Sequence, residues 1–115
     1  MNHRVVITGM GVVAPNGVGL AEYGQAIRAG KSGIRRVPIM AESKFGCRVG
    51  GIPQGVDAIA EDYFTAEDLR AMNTSHRYGC IAAVDAWTDA GFERPSLEDE
   101  EVNWDAGAVI GSGMA

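Results

Sequence analysis

A chain of 115 residues is long enough for one domain with a core and too short for two, and its 46% apolar and 22% charged residues exclude the disordered class. A net charge of −5 argues against nonspecific nucleic-acid binding, and no uncharged run of about 18 apolar residues suggests a membrane span. Cys47 and Cys80 form neither a metal spacing nor a dense disulfide framework, and no signal peptide opens the chain, so a reducing, cytoplasmic setting without a metal is expected.

Residues 4–13, RVVITGMGVV, are nearly continuous in apolar and β-branched side chains, which predicts a parallel strand covered on both faces. Gly9 and Gly11, two apart after this run, raise the question of a dinucleotide-binding loop. That motif needs a third small residue and an immediate helix, whereas Ala14 runs into Pro15, Asn16 and Gly17. The acid expected roughly 20 residues later, for a ribose, is missing from residues 29–33. The glycines therefore read as packing positions, where neighbouring chain approaches closely.

A helix is expected over residues 19–29, with Leu20, Tyr23 and Ile27 on one face and Gly30 placed to stop it. Residues 34–56 are irregular and rich in Gly and Pro, an excursion with one alternating piece, Phe45, Cys47 and Val49, that suggests an edge strand. Leu69, Met72, His76, Cys80, Ala83, Trp87 and Ala90 recur at helical steps, predicting one long helix over residues 66–90. Thr65 with Asp68 makes a capping box at its start and Gly91 supplies its stop. Gly79 in its middle costs about 1 kcal/mol against alanine, so a close neighbour or a bend is expected there. Residues 92–102 form a polar connection, with the acidic run at 98–101 solvated, and residues 106–110 read as a second buried strand ending in Gly111-Ser112-Gly113-Met114-Ala115. The order β, α, excursion, long α, β implies an α/β layer with parallel strands and right-handed crossovers. With no helix after the last strand, the chain is expected to be a piece of a longer protein.

Few residues offer chemistry. Cys80 lies inside the long helix on its apolar stripe, where packing is the favoured role, and Cys47 shares a strand face with two hydrophobes. His76, on the same stripe as Cys80, reads as a hydrogen-bonded core histidine, and His3 as solvated. Trp87 and Trp104 are expected in the core, and Asp85 and Asp89, opposite the apolar stripe, in solvent. From the residues alone, this segment carries no active site.

Five blocks, in order, resemble the N-terminal region of elongating β-ketoacyl-acyl carrier protein synthases of fatty acid and polyketide assembly. They are RVVITGMGVVAPNG at 4–17, AIRAGKSGI at 26–34, the stretch from Arg70-Ala71-Met72 to Tyr78-Gly79, DAG at 89–91 and AVIGSGM at 108–114. The resemblance implies a thiolase-like α/β fold, a five-layered α-β-α-β-α sandwich of two duplicated halves, of which residues 1–115 would be the N-terminal part of one. It also implies acyl transfer to a cysteine, decarboxylation of a malonyl thioester on an acyl carrier protein, and Claisen condensation, without cofactor or metal. The family nucleophile and its two histidines lie beyond the Gly-Ser-Gly turn, and Cys47, Cys80, His3 and His76 match none of them, so no catalytic residue is carried over and the segment alone is expected to be inactive.

One binding position does carry over by resemblance. The residue after Gly-Ser-Gly, here Met114, lines or gates the pocket for the growing acyl chain; a thioether side chain there would limit the chain lengths admitted. The alternative is that Met114 simply fills core. Family members present basic residues to an acidic carrier near the start of the long helix, whereas residues 65–72 here hold only Arg70 as a cation, which implies a different carrier or docking through other basic residues. The complete protein is expected to pair as a homodimer or a ketosynthase-like heterodimer. A rival reading is a non-catalytic ketosynthase-like subunit that sets chain length; a Rossmann-type oxidoreductase is disfavoured by the loop argument above.

Overall fold

The structure, a computed structural model, describes residues 3–96, 98, 99 and 101–113. It is mixed α/β. Two short strands, β1 (Val13–Ala14) and β2 (Gly17–Val18), form an antiparallel hairpin with Val13 opposite Val18, turning over Pro15 and Asn16. Helix α1 (Leu20–Arg28) follows at once and ends as expected, since Gly30 takes φ +64. With that left-handed residue in place, Gly30 N–H donates to the Ile27 carbonyl at 3.1 Å and Lys31 N–H to the Ala26 carbonyl at 2.8 Å, satisfying two orphan acceptors.

The excursion contains β3 (Ile34–Arg36), the five-residue α2 (Pro38–Glu42) with Pro38 at its first turn, and β4 (Val49–Gly51). Strands β3 and β4 pair antiparallel, with Ile34, Arg35 and Arg36 opposite Gly51, Gly50 and Val49. The expected strand around Phe45, Cys47 and Val49 is thus displaced: Phe45 and Cys47 precede β4 and are exposed, because the backbone ladder begins only where β3 lies alongside.

Residues 66–90 do not form one helix. The chain makes α3 (Val56–Tyr63), α4 (Ala66–Ala71) and α5 (Thr74–Asp89), with Met72 extended at ψ 130 between the last two. Asn73 breaks the run by accepting from the His76 N–H at 2.9 Å, which starts a new helix in place of continuing the old one. The capping box of α4 is present in both directions, Thr65 Oγ1 accepting from Asp68 N–H at 3.2 Å and Asp68 Oδ2 accepting from Thr65 N–H at 3.0 Å. The Thr65 hydroxyl donates to the same carboxylate at 2.7 Å, and these bonds hold the Asp68 carboxyl below its ordinary value. At the far end Gly91, at φ +84, stops α5, and Phe92 N–H reaches back to the Trp87 carbonyl while its ring packs 4.8 Å from the indole.

The core sits between α3 and α5. Val56, Ala60, Phe64 and Ile81 are buried together, with Val13, Val18, Leu69, Met72 and Cys80 packed around them. Arg77 of α5 binds Asp57 of α3 through Nη1 at 2.7 Å and the Leu69 carbonyl of α4 through Nη2 at 3.2 Å, so one guanidinium joins three helices. Helix α3 escaped the sequence reading, although Val56, Ile59, Ala60 and Tyr63 stand at helical spacing.

Neither predicted parallel strand is present among the described residues. Residues 3–12 and 105–113 form no ladder, Val5 is 94% exposed and Ile110 87% exposed. Their β-branched sequences suit a sheet, but a strand exists only when another edge supplies its hydrogen bonds, and no described edge does so. The chain is correspondingly extended: the radius of gyration is 17.2 Å, against about 13 Å for a compact domain of this length. Trp104 is exposed at 89%, again against expectation, as are Val102 and Val109 in the same stretch.

Candidate functional site

Gly9 and Gly11 face the middle of α5. A Cβ at Gly11 would stand 2.8 Å from both the Ala82 carbonyl carbon and the Ala86 nitrogen, and one at Gly9 would stand 2.8 Å from the Ala90 Cβ. Residues 9–11 therefore cross the small-residue face of α5 at backbone contact, and Met10 N–H is fixed there by Asp89 Oδ2 at 3.0 Å. The packing role expected of these glycines is what the geometry shows. A phosphate would need N–H groups at a helix N-terminus, whereas here the space is filled by helix backbone.

Beside this crossing lies a cleft of about 440 Å³ between the start of α1, the end of α3 and the outer face of α5. Asp85 is half-buried in it and accepts from the Tyr63 hydroxyl at 2.8 Å. This bond, together with burial and the Asp85 and Asp62 charges, holds the Tyr63 phenol above its ordinary value. Arg94 crosses the cleft, donating to the Tyr63 carbonyl and resting 5.5 Å from the Phe64 ring. Asp85 and Asp89 were expected simply in solvent; both instead hold other parts of the chain, and Asp89 stays exposed while doing so. The cleft holds a protonated phenol and carboxylates engaged in structure. Among the described residues its lining holds no cysteine, serine or histidine.

The other sequence candidates stand apart from this cleft. Cys47 is exposed, and its thiol donates to the Val49 carbonyl at 3.4 Å. Cys80 is half-buried against the α3–α5 core, the packing role expected of it. His76 is exposed, not a core histidine, because the break at Asn73 puts it in the first turn of α5 and shifts it off the apolar stripe of α4. His3 is exposed as expected. Among the described residues no group of three or more His, Cys, Asp or Glu side chains is arranged to hold a metal ion. Gly111 and Gly113 of the Gly-Ser-Gly turn are exposed with open space around them, and Ser112 Oγ donates to the Gly113 carbonyl at 3.1 Å. Met114, the residue expected to gate a pocket, lies outside the described residues. No helix among the described residues is long and apolar enough to cross a membrane.

Residues 2–115 match the family model described as the beta-ketoacyl synthase N-terminal domain. The chain is 35% identical over 111 residues to a 3-oxoacyl-[acyl-carrier-protein] synthase 2 of Vibrio cholerae, an alignment spanning 96% of this chain and 25% of that protein. It is 40% identical over 96 residues to the tetracenomycin polyketide synthase ketoacyl synthase beta subunit of Streptomyces glaucescens, spanning 84% of this chain and 23% of that one. A second 3-oxoacyl-[acyl-carrier-protein] synthase 2, of Vibrio harveyi, is 32% identical over 111 residues, covering 96% of this chain and 25% of its own length. The chain thus spans about a quarter of the length of these relatives. With the family model matched over residues 2–115, the chain belongs to the β-ketoacyl synthase N-terminal domain family.

Proposed function

We propose that this chain is the N-terminal part of a 3-oxoacyl-acyl carrier protein synthase, an acyltransferase working in fatty acid or polyketide synthesis in the cytoplasm. The observation that carries the reading is the match of residues 2–115 to the synthase N-terminal domain. The complete protein takes an acyl group from a carrier thioester onto a cysteine thiolate outside this segment, releasing the carrier thiol. Loss of CO2 from a malonyl thioester leaves an enolate; its carbon attacks the acyl-enzyme carbonyl, and the cysteine thiolate leaves as the 3-oxoacyl thioester forms. Within this scheme residues 1–115 supply framework for a thiolase-like half, with residues 4–13 and 106–110 as strands of its sheet. Dimer formation and the acyl carrier protein as partner belong to the same reading.

The test is incubation of the full-length protein with acyl- and malonyl-carrier protein. A 3-oxoacyl-carrier product and stoichiometric CO2 are expected; turnover of neither substrate would contradict the proposal. A second reading, a chain-length subunit without its own nucleophile, has one observation in its favour, the 40% identity to a protein named as a beta subunit. It is distinguished by product forming only when a ketosynthase partner is added.

Met114 is proposed to limit the acyl pocket. In the full-length protein Met114→Gly should admit longer acyl chains, measured as the ratio of kcat/KM for long and short acyl thioesters. An unchanged ratio would assign Met114 to core filling.

A further inference from the structure

Asn16 and Gly17 form the one Asn-Gly pair in the sequence. They sit at the tip of the β1–β2 hairpin, whose strands are two residues long each and pair Val13 with Val18 and Ala14 with Gly17. Gly17 has no side chain to keep its backbone nitrogen away from the Asn16 side chain, whereas Asn73 and Asn103 are followed by the β-branched Thr74 and the bulky Trp104. The side-chain amides differ in the same sense. Asn73 and Asn103 hold their Oδ1 atoms against the His76 and Asp105 N–H groups at 2.9 and 3.0 Å, whereas the Asn16 amide has no hydrogen-bond partner among the described residues. Asn16 is half-buried, and beside it lies a cavity of about 140 Å³ lined by Asn16, Glu22, Lys31, Arg35 and Gln54, polar groups that admit water.

We propose that Asn16 is a site of spontaneous deamidation in the folded protein, and that its isoaspartyl product does not fit the turn. The Gly17 amide nitrogen loses its proton and attacks Asn16 Cγ; the new N–Cγ bond closes a succinimide, the Cγ–Nδ2 bond breaks and ammonia leaves. Water then opens the ring at either carbonyl, giving aspartate, or isoaspartate in which the backbone runs through the former side-chain carbonyl. Solvent water is the only co-reactant. The nitrogen reaches Cγ when the Ala14–Gly17 pair opens, a local event in a ladder this short that leaves the α3–α5 core in place. Isoaspartate adds a methylene to the backbone, and the turn has no room for it. A Cβ at Gly17 would stand 2.6 Å from the Tyr23 nitrogen, and one at Gly33 would stand 2.6 Å from both the Asn16 nitrogen and the Pro15 carbonyl carbon. Arg35 Nη2 also donates to the Pro15 carbonyl at 2.9 Å. The turn is clasped between the start of α1 and the residues around the start of β3, and a lengthened chain must leave one of them.

The experiment incubates the full-length protein in native, mildly alkaline buffer, digests it in acid and maps its peptides by mass spectrometry, with isoaspartate counted by enzymatic methylation. The Asn16 peptide should gain about one dalton, and form isoaspartate about tenfold faster than the Asn73 and Asn103 peptides. Asn16→Gln, which needs a larger ring to cyclise, should hold the protein at its starting isoaspartate level. Equal rates at the three asparagines, or an Asn16 that stays intact in the folded protein while the same peptide deamidates once excised, would overturn the proposal. The isoaspartyl form, separated by its extra negative charge, should unfold at a lower urea concentration than the unmodified protein. Asn16→Asp, which carries the charge without the added methylene, should lie nearer the unmodified protein. Equal midpoints for all three forms, or Asn16→Asp as unstable as the isoaspartyl form, would overturn the claim that the turn lacks room.

Discussion

Two glycines, Gly11 packed against α5 and Gly79 within it, make contrasting demands. Gly11 meets helix backbone, so a methyl group there cannot be absorbed by a side-chain rotation and must move residues 9–11 off the helix. Gly11→Ala should destabilise the chain by about 1–3 kcal/mol in urea unfolding. Gly79 is exposed, helical and without a neighbour within 4 Å, so it lacks the close packing its sequence position suggested. Gly79→Ala should therefore stabilise by about 1 kcal/mol. Equal effects at the two positions would contradict the placement of residues 9–11 on α5. The sequence made Gly9 and Gly11 legible as packing residues because Pro15 and Asn16 ruled out a phosphate loop. The partner they pack against, Ala82, Ala86 and Ala90, lies some 70 residues away and left no local signal.

At the scale of elements, local chemistry was readable wherever it was self-contained. The Thr65–Asp68 box, the Gly30 stop and the Gly91 stop all appear where the residues placed them, because each is satisfied by backbone groups within six residues. The long helix failed because its apolar spacing was read through Asn73, whose side chain caps a new helix as effectively as its backbone could continue an old one. Asn73→Ala should cost about 1 kcal/mol and lower helix content measured by circular dichroism; no loss would argue against a separate α5 start. Asp68 offers a pH test. Its folded value lies below its unfolded one, so the cap stabilises α4 above the ordinary carboxylate range and is lost as pH falls through the lowered value. Thr65→Ala removes the hydroxyl bonds and should move the Asp68 titration, followed by NMR, back up towards that range.

For the molecule as a whole, the distinction is between residues that specify strands and edges that complete them. Residues 5–7 and 109–110 carry the β-branched composition of a buried sheet, yet Val5, Ile7, Val109 and Ile110 are among the most exposed side chains described. Parallel pairing is non-local, so sequence can announce the strand without supplying its neighbour. The candidate site was less legible: Cys80 was readable as a packing residue, while the Tyr63–Asp85 bond across the cleft joins residues whose pairing no local pattern announces. The central claim is that this segment frames a synthase whose nucleophile lies elsewhere in the protein. Its most direct test is peptide-level mass spectrometry of the full-length protein after loading with an acyl-carrier thioester. The account predicts a thioester adduct on a cysteine outside residues 1–115, with the Cys47 and Cys80 peptides unmodified; stoichiometric acylation of Cys47 or Cys80 would contradict it.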